Sequence, residues 1–162
     1  MKWLLIFGGI LLCCILLVLI IGWLLPVKHT ATVQVIIPAP AGKVWQRITG
    51  IAAFPQWRTD VKSVESTGDS SWVEVDKSNH RLPFRIEAAE PNHRLVTRID
   101  GKGLPFGGSW EYILETDGQG TVLNITENGE VYNPLFRFVS KFIIGHTATL
   151  KKYAADLERS FQ

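Results

Sequence analysis

The chain opens with an unbroken apolar stretch over residues 3–25, in which no side chain carries a charge, an amide or a hydroxyl group. At about 1.5 Å per residue, a helix of this length is roughly 35 Å long and can cross a hydrocarbon core of about 30 Å. Trp3 and Trp23 lie near its two ends, where indole rings favour the boundary between lipid and water. The pattern predicts a single-pass membrane protein, with a transmembrane helix and short tether over residues 1–28.

A cleaved secretory signal peptide is the alternative interpretation, because Lys2 supplies a positive start. The apolar stretch is longer than the roughly 7–15 residues of such a signal, and no small-x-small cleavage site follows Gly22. We therefore predict an uncleaved anchor. Positive charges at its two ends are nearly balanced, which leaves the orientation open. We favour a bacterial inner-membrane protein, with a slight preference for a domain outside the cytoplasm.

After the tether, the pattern predicts one domain over residues 29–162. A run rich in Val, Ile and Thr at 31–37 is typical of a strand, and 41–48 and 51–57 have the pattern of two short helices. Apolar segments separated by turn residues then predict six strands, at 61–66, 72–76, 82–88, 95–100, 108–115 and 121–131. Asp117-Gly118-Gln119-Gly120, between the last two, is a hairpin signal. This order indicates an antiparallel meander.

The end of the chain has helical spacing again. Pro134 is suited to a first helical turn, and one stripe of residues recurs every three or four positions after it: Leu135, Val139, Phe142, His146, Leu150, Tyr153 and Leu157. The stripe predicts an amphipathic helix of about 25 residues that needs a large apolar surface to lie on. The domain is therefore predicted as α+β, with a curved antiparallel sheet around a long C-terminal helix. A cavity is expected where helix and sheet diverge.

Charge and cysteine content exclude several functions. Lys2 and Lys28 belong to the anchor and tether, which leaves 15 basic and 15 acidic residues in the domain. A net-neutral domain without a basic run lacks the positive surface that nucleic-acid binding needs, so we predict no nucleic-acid partner. Cys13 and Cys14 both lie in the apolar stretch, which excludes disulfides, thiolate catalysis and cysteine metal ligands from the domain.

The sequence has no pattern typical of a metal centre or a nucleophilic triad. His29, His80 and His93 occupy tether or turn positions without metal-like spacing. The serines are scattered in turns, and no Gly-x-Ser-x-Gly elbow occurs. We therefore predict neither a metal nor a cofactor.

Several short segments resemble one known superfamily. They are Pro38-Ala39-Pro40 with Val44-Trp45, Phe54-Pro55-Gln56-Trp57-Arg58, Val64-Glu65, Thr126-Glu127-Asn128-Gly129-Glu130-Val131 and Asn133-Pro134. Their order and spacing over residues 30–161 resemble the START-like (SRPBCC) superfamily, and most nearly its polyketide cyclase/dehydrase and lipid-transport family. The resemblance implies a helix-grip fold with a deep apolar cavity for lipids, sterols, quinones or polyketides. It does not decide between carrier and enzyme, because one fold hosts both.

Aromatic side chains are the first candidates for a ligand site. Strand alternation places Trp110 and Tyr112 on one face of the strand at 108–115, and Phe84 on the face of its own strand that looks toward the helix. Together with Trp57 and Phe142, these residues are predicted to line a cavity for an apolar ligand. The alternative for each of them is ordinary core packing.

Glu127 and His146 are the two polar candidates. In a regular strand Glu127 shares the inner face with Leu123 and Ile125, which would desolvate its carboxyl group and raise its pKa. If Gly129 marks a bulge instead, Glu127 lies at a solvated rim. His146 lies on the helical stripe and is either a polar ligand contact or a structural histidine. Both are weak candidates for a general acid or base.

These observations predict a membrane-anchored module that binds or transports a hydrophobic small molecule, such as a lipid, quinone or polyketide-like compound. The expected partners are the bilayer and that ligand. Two alternatives stay open. One is a protein-interaction module that holds a membrane protein partner, and the other is a cyclase- or dehydrase-like enzyme. The enzyme is disfavoured because no convincing acid–base pair is visible in the sequence.

Overall fold

A computed structural model describes residues 2–116, 118 and 120–162, apart from the side chain of Leu5. The chain begins with helix α1 (Lys2–Leu24). Among the described residues, α1 is the one helix long and apolar enough to cross a membrane, and none of its most apolar part is buried against the protein. This apolar helix agrees with the sequence prediction, with bounds shifted by one residue at each end.

Within the described residues, seven strands form one antiparallel sheet in the order β1-β7-β6-β5-β4-β3-β2. The strands are β1 (Lys28–Ile37), β2 (Val61–Gly68), β3 (Ser71–Asp76), β4 (Arg81–Glu90), β5 (Arg94–Ile99), β6 (Phe106–Thr116) and β7 (Thr121–Val131). All seven predicted strands are present, and β1 begins three residues earlier than predicted. Of the predicted hairpin at 117–120, positions 117 and 119 lie outside the described residues.

Three short helical elements follow β1: α2 (Ala41–Thr49), a 3₁₀ turn (Ile51–Ala53) and α3 (Phe54–Trp57). Four-residue spacing places Val44 and Ile48 of α2 on one face, and both are buried. On the sheet, the inner-face side chains of Leu95, Leu123 and Ile125 are fully buried in the same core. Burial of each such side chain contributes about 1.5–3 kcal/mol.

The predicted C-terminal helix is present but broken, which corrects the expectation of one continuous helix. It consists of α4 (Pro134–Val139), a π-helical turn (Ser140–Ile144) and α5 (Ala148–Arg159). Gly145 separates them with a φ of 81°, a conformation that strains any residue with a Cβ atom. Asn133 caps α4, its side-chain oxygen accepting from the amides of Leu135 (2.9 Å) and Phe136 (3.3 Å).

The two parts of this segment pack on different partners. Helix α5 lies on β1 and β7, where Leu150 and Leu157 are fully buried. Helix α4 packs against the C-terminal end of α1 instead. The predicted stripe is therefore buried on the sheet at Leu150 and Leu157 of α5, whereas Leu135 and Phe142 are exposed.

The contact between α1 and α4 is close and specific. Gly22 is buried against α4, and a Cβ atom there would collide with the carbonyl group of Pro134. Arg137 Nη1 donates to the carbonyl oxygens of Gly22 (3.3 Å), Trp23 (3.3 Å) and Leu25 (2.9 Å). A cation at the end of a helix satisfies carbonyl groups that have no partner within the helix and interacts favourably with the helix dipole. Helix α4 is thereby attached to the end of α1.

Candidate functional site

A cavity of about 540 Å³ lies between the inner face of the sheet, α5 and the α4–π segment, which we define as residues 134–144. Small-molecule sites occupy about 300–1,000 Å³, so the cavity is large enough for an organic ligand. Most of its wall is apolar, with side chains from the sheet and the helices, among them Ile48, Ile51, Phe84, Ile99, Val139 and Ile144.

Two pairs of aromatic rings line the cavity. Trp72 of β3 stacks on Phe84 of β4, with ring centres 5.5 Å apart and planes 15° from parallel. Trp110 of β6 meets Tyr153 of α5 edge-on at 5.6 Å. Such a wall can pack against a flat or branched apolar molecule.

Three titratable side chains meet where the cavity wall passes from the sheet to the α4–π segment. His29 Nε2 of β1 lies 3.5 Å from Glu127 Oε1 of β7. The imidazoles of His29 and His146 stack with their centres 3.9 Å apart. Ser140 Oγ lies 3.2 Å from His146 Nδ1, and the hydroxyl of Thr149 donates to Glu127 Oε2 at 3.4 Å. We call His29, Glu127 and His146 the rim triad.

Strand register brings His29 and Glu127 together. In the β1–β7 ladder, His29 lies opposite Gly129 and Ala31 lies opposite Glu127, with no register shift. A Cβ atom at Gly129 would collide with the imidazole of His29, so the absence of a side chain there makes room for the ring. Gly129 is therefore not a bulge, and Glu127 lies on the inner face.

The surroundings of the rim triad move the three pKa values toward one another. Burial raises the pKa of Glu127, and this rise is opposed by the hydrogen bond from Thr149 and by His146. Burial lowers the pKa of His29, and burial followed by the neighbouring His29 lowers that of His146. Groups whose proton affinities approach one another can exchange a proton with a ligand or with each other.

A second polar cluster lies on the cavity wall formed by β3 and the segment after α3. Arg58 donates to Glu74 Oε1 (2.9 Å) and to Asp60 Oδ2 (2.8 Å), and Trp72 Nε1 donates to the same Glu74 oxygen (3.1 Å). Although burial lowers the pKa of Arg58, the charges of Glu74 and Asp60 raise it above its usual value. The two carboxylates occupy most of the guanidinium donors, so this cluster is chiefly structural.

Two tyrosine hydroxyls are buried near the Arg58 cluster. Burial raises the pKa of both Tyr112 and Tyr153, so both phenols stay protonated at neutral pH. A protonated phenol can donate a hydrogen bond to a ligand oxygen as well as accept one. Tyr112 and Tyr153 therefore add two hydroxyl groups to the polar groups on the cavity wall.

Most of the predicted site residues line the cavity, namely Phe84, Trp110, Tyr112, Glu127 and His146. Trp57 does not, which corrects the prediction for this residue. It packs edge-on against Phe54 (5.6 Å) and Tyr153 (5.3 Å) within the core. Phe142 is also misplaced by the prediction, because the π-helical turn directs it outward beside Phe138.

Sequence reasoning missed His29, Arg58 and Glu74. His29 precedes the predicted start of the first strand at residue 31, yet the alternation of inward residues along β1 runs back from Ile37 in steps of two and includes it. Glu74 is two residues after Trp72 and so shares its inward face. Period-two alternation, applied to the full strands, was the signal that could have found both.

A smaller cavity of about 320 Å³ adjoins the rim triad, since His29 and His146 line both spaces. Its other walls are the end of α1 and three basic side chains, those of Lys28, Arg137 and Lys141. In residues 2–116, 118 and 120–162, no group of three or more His, Cys, Asp or Glu side chains is arranged to hold a metal ion.

The family described as polyketide cyclase / dehydrase and lipid transport matches residues 28–159. A comparison with curated protein sequences found no match. Among solved structures, a START superfamily protein from Mycobacterium smegmatis aligns with a TM-score of 0.64 at 16% identity, over 83% of this chain and 96% of that chain.

Two further structures extend this comparison. The di-domain ARO/CYC BexL from the BE-7585A biosynthetic pathway aligns with a TM-score of 0.68 at 12% identity, over 88% of this chain and 52% of that one. Norcoclaurine synthase from Thalictrum flavum aligns with a TM-score of 0.64 at 14% identity, over 83% of this chain and 86% of that chain. At these identities the likeness establishes the fold, and it confirms the START-like architecture expected from the sequence. Because the family match runs from the start of β1 to the end of α5, the chain belongs to the polyketide cyclase/dehydrase and lipid-transport family.

Proposed function

We propose that this protein is a membrane-anchored module that takes a hydrophobic small molecule into its cavity. The observation that carries the proposal is the cavity of about 540 Å³ with its largely apolar, aromatic wall. Apolar concave sites with a few polar groups are the usual form of small-molecule sites. Helix α1 would serve as the anchor and hold the cavity beside the bilayer, where such ligands concentrate.

The polar groups of the cavity favour a ligand with a small oxygen-bearing part. The rim triad offers imidazole nitrogens and a carboxyl group that can bond to a hydroxyl or carbonyl oxygen. The aromatic wall would hold the apolar remainder. A lipid, a quinone or a polyketide-like molecule has this combination.

Mass spectrometry of ligands that copurify with the full chain tests the proposal. The protein would be purified in detergent, exchanged extensively to remove bulk lipid, and extracted with organic solvent. Ile99→Trp fills the cavity, and Ile36→Trp adds the same side chain on the exposed outer face of β1. We expect one enriched apolar compound with wild type and Ile36→Trp, and its loss with Ile99→Trp. Equal extracts from all three proteins would contradict ligand binding in the cavity.

The rim triad also favours a second candidate function, a cyclase- or dehydrase-like reaction. His29 Nε2 lies 3.5 Å from Glu127 Oε1 on the cavity wall, and this proximity supports a role for the two groups as an acid–base pair toward a ligand in the cavity. One group would remove a proton from the substrate and the other would protonate the departing hydroxyl group, releasing water.

The copurifying compound distinguishes the two functions. In a dehydrase, Glu127→Gln would retain the unreacted substrate, which is heavier by one water molecule than the compound on wild type. A carrier would hold the same compound in both proteins. His93→Gln, which changes an exposed histidine in the turn between β4 and β5, serves as a control that leaves the cavity intact.

A further inference from the structure

The α4–π segment exposes a group of large apolar side chains. Leu135, Phe136, Phe142, Ile143 and Ile144 are each between 44% and 70% exposed. We call these five residues the apolar rim. Exposed apolar patches of this kind, on one short segment, mark surfaces that contact a partner or a membrane.

The apolar rim lies close to the end of α1. Gly22 packs directly on Pro134, and Arg137 bonds to the last carbonyl groups of α1. Ile143 is six positions after Arg137, which corresponds to roughly 9 Å along a helix. Each headgroup layer of a bilayer is roughly 5–7 Å thick. If α1 crosses a membrane and Trp23 marks the boundary of the lipid, the apolar rim is held at the level of the membrane surface.

Basic side chains accompany the rim. Lys141 Nζ lies 5.6 Å from the ring centre of Phe142, and Lys28 and Arg137 line the small cavity beside the end of α1. Without Arg137 and Lys141, residues 29–162 carry 13 basic and 15 acidic side chains, so these cations are a local feature. Exposed apolar residues next to Lys and Arg are typical of segments that lie in the interface of a membrane.

We propose that the apolar rim inserts into the surface of the membrane that α1 crosses, so that the main cavity opens directly into the lipid phase. Phe136 and Ile144 belong both to the rim and to the cavity wall. A ligand dissolved in the bilayer therefore reaches the cavity along the rim without crossing water. The inference rests on the proposed membrane anchor and adds a second contact with the same bilayer.

Depth-dependent quenching of single-cysteine probes tests this arrangement in the full chain. Cys13→Ser/Cys14→Ser removes both native cysteines, and Ile143→Cys then places an environment-sensitive dye on the rim. Ile36→Cys is the matched control, because Ile36 is also an exposed isoleucine. It is eight positions along β1 from Lys28, which places it roughly 26 Å from the residue that follows the anchor. Cys14→Ser alone keeps Cys13 as a marker inside α1. Each protein is reconstituted in phosphatidylcholine bilayers with or without brominated acyl chains.

We expect brominated lipid to quench the dyes at positions 13 and 143 and to leave position 36 bright. Quenching at 13 without quenching at 143 overturns the rim insertion while the anchor stands. Absence of quenching at 13 overturns the anchor, and with it this inference. A blue-shifted dye at 143 that brominated lipid leaves bright overturns lipid contact and indicates a protein surface, either a second copy or a membrane protein partner.

Discussion

The carboxyl groups of Asp156 and Glu127 lie in different regions of the molecule, and their surroundings shift the two pKa values in opposite directions. Asp156 of α5 accepts hydrogen bonds from the amide (2.9 Å) and hydroxyl (2.8 Å) of Thr59 and pairs with Lys152 and Arg159. Although burial raises its pKa, these bonds and charges lower it below the usual value. Among the described residues, Glu127 in the rim triad has no lysine or arginine at bonding distance, and burial raises its pKa.

The difference separates a region whose charges are paired from one whose polar and apolar groups are left partly unsatisfied. The region around Asp156, Arg58 and Leu157, which we call the closed end, satisfies its charges and buries its apolar side chains. In the rim triad, by contrast, the carboxyl group of Glu127 is not fully paired, and in the apolar rim the large apolar side chains are not fully buried. Sites that bind or react commonly retain such unfavourable arrangements, at a cost in stability that the rest of the fold offsets. Substitutions at the closed end should therefore mainly lower the stability of the fold. Substitutions in the rim triad or the apolar rim should mainly affect ligand or membrane binding.

The largest loss of stability is expected for Arg58→Met at the closed end. The substitution leaves the buried carboxylate of Glu74 without its cation, which costs about 3–5 kcal/mol in comparable buried pairs. Arg98→Met is the matched control, because Arg98 pairs with Glu87 on the exposed face, where a pair contributes about 0–1 kcal/mol. Denaturant unfolding of the full chain in one detergent measures both. Equal losses would contradict the distinction between the two faces.

A smaller loss is expected for Asp156→Asn, about 1.5–3 kcal/mol at pH 7, because a hydrogen-bonded charge is removed. The folded-state pKa of Asp156 is lowered, so its ionised form stabilises the fold above about pH 4 and loses that effect as the pH falls through the folded-state pKa. The variant should therefore lose less stability than wild type on acidification. Asp69→Asn, in the exposed turn between β2 and β3, is the control for the same change of side chain.

Glu127→Gln should raise the stability of the fold at pH 7, whereas Asp156→Asn should lower it. The raised folded-state pKa means that the ionised carboxylate destabilises the fold above its ordinary pKa, whereas the protonated form at low pH carries no such penalty. We expect the variant to gain about 0.5–1 kcal/mol at pH 7, and the gain to disappear near pH 4. Unfolding measurements at both pH values check this, with Glu115→Gln on the exposed end of β6 as the control. A loss of stability at pH 7 would instead make Glu127 a structural residue.

The sequence alone predicted side-chain directions correctly where a segment keeps one regular spacing along its whole length. Within regular strands, alternation placed Phe84, Trp110, Tyr112 and Glu127 on the inner face, and the structure has them there. Alternation did not identify His29 because the strand was predicted to begin at residue 31, whereas β1 begins at Lys28. The ends of secondary-structure elements are weakly marked in sequence.

The break in the C-terminal helix was harder to predict. Apolar residues keep helical spacing on both sides of Gly145, so the pattern alone continues through it. What decides the break is a packing partner more than 100 residues away, since α4 turns onto the end of α1. Phe142 was consequently assigned to the cavity when it is exposed. Tertiary packing of this kind overrides local spacing.

The smallest effect on stability is expected for Gly129→Ala. Its new Cβ atom would collide with the imidazole of His29, and the ring can rotate away from Glu127 with little cost because it is the end of a flexible side chain. Burial lowers the pKa of His29, so a displaced and more solvated ring should regain a higher pKa. NMR titration of the imidazoles measures this shift, and Gly42→Ala, where a Cβ meets only ordinary contacts, is the control. An unchanged His29 titration would mean that Gly129 does not position the rim triad.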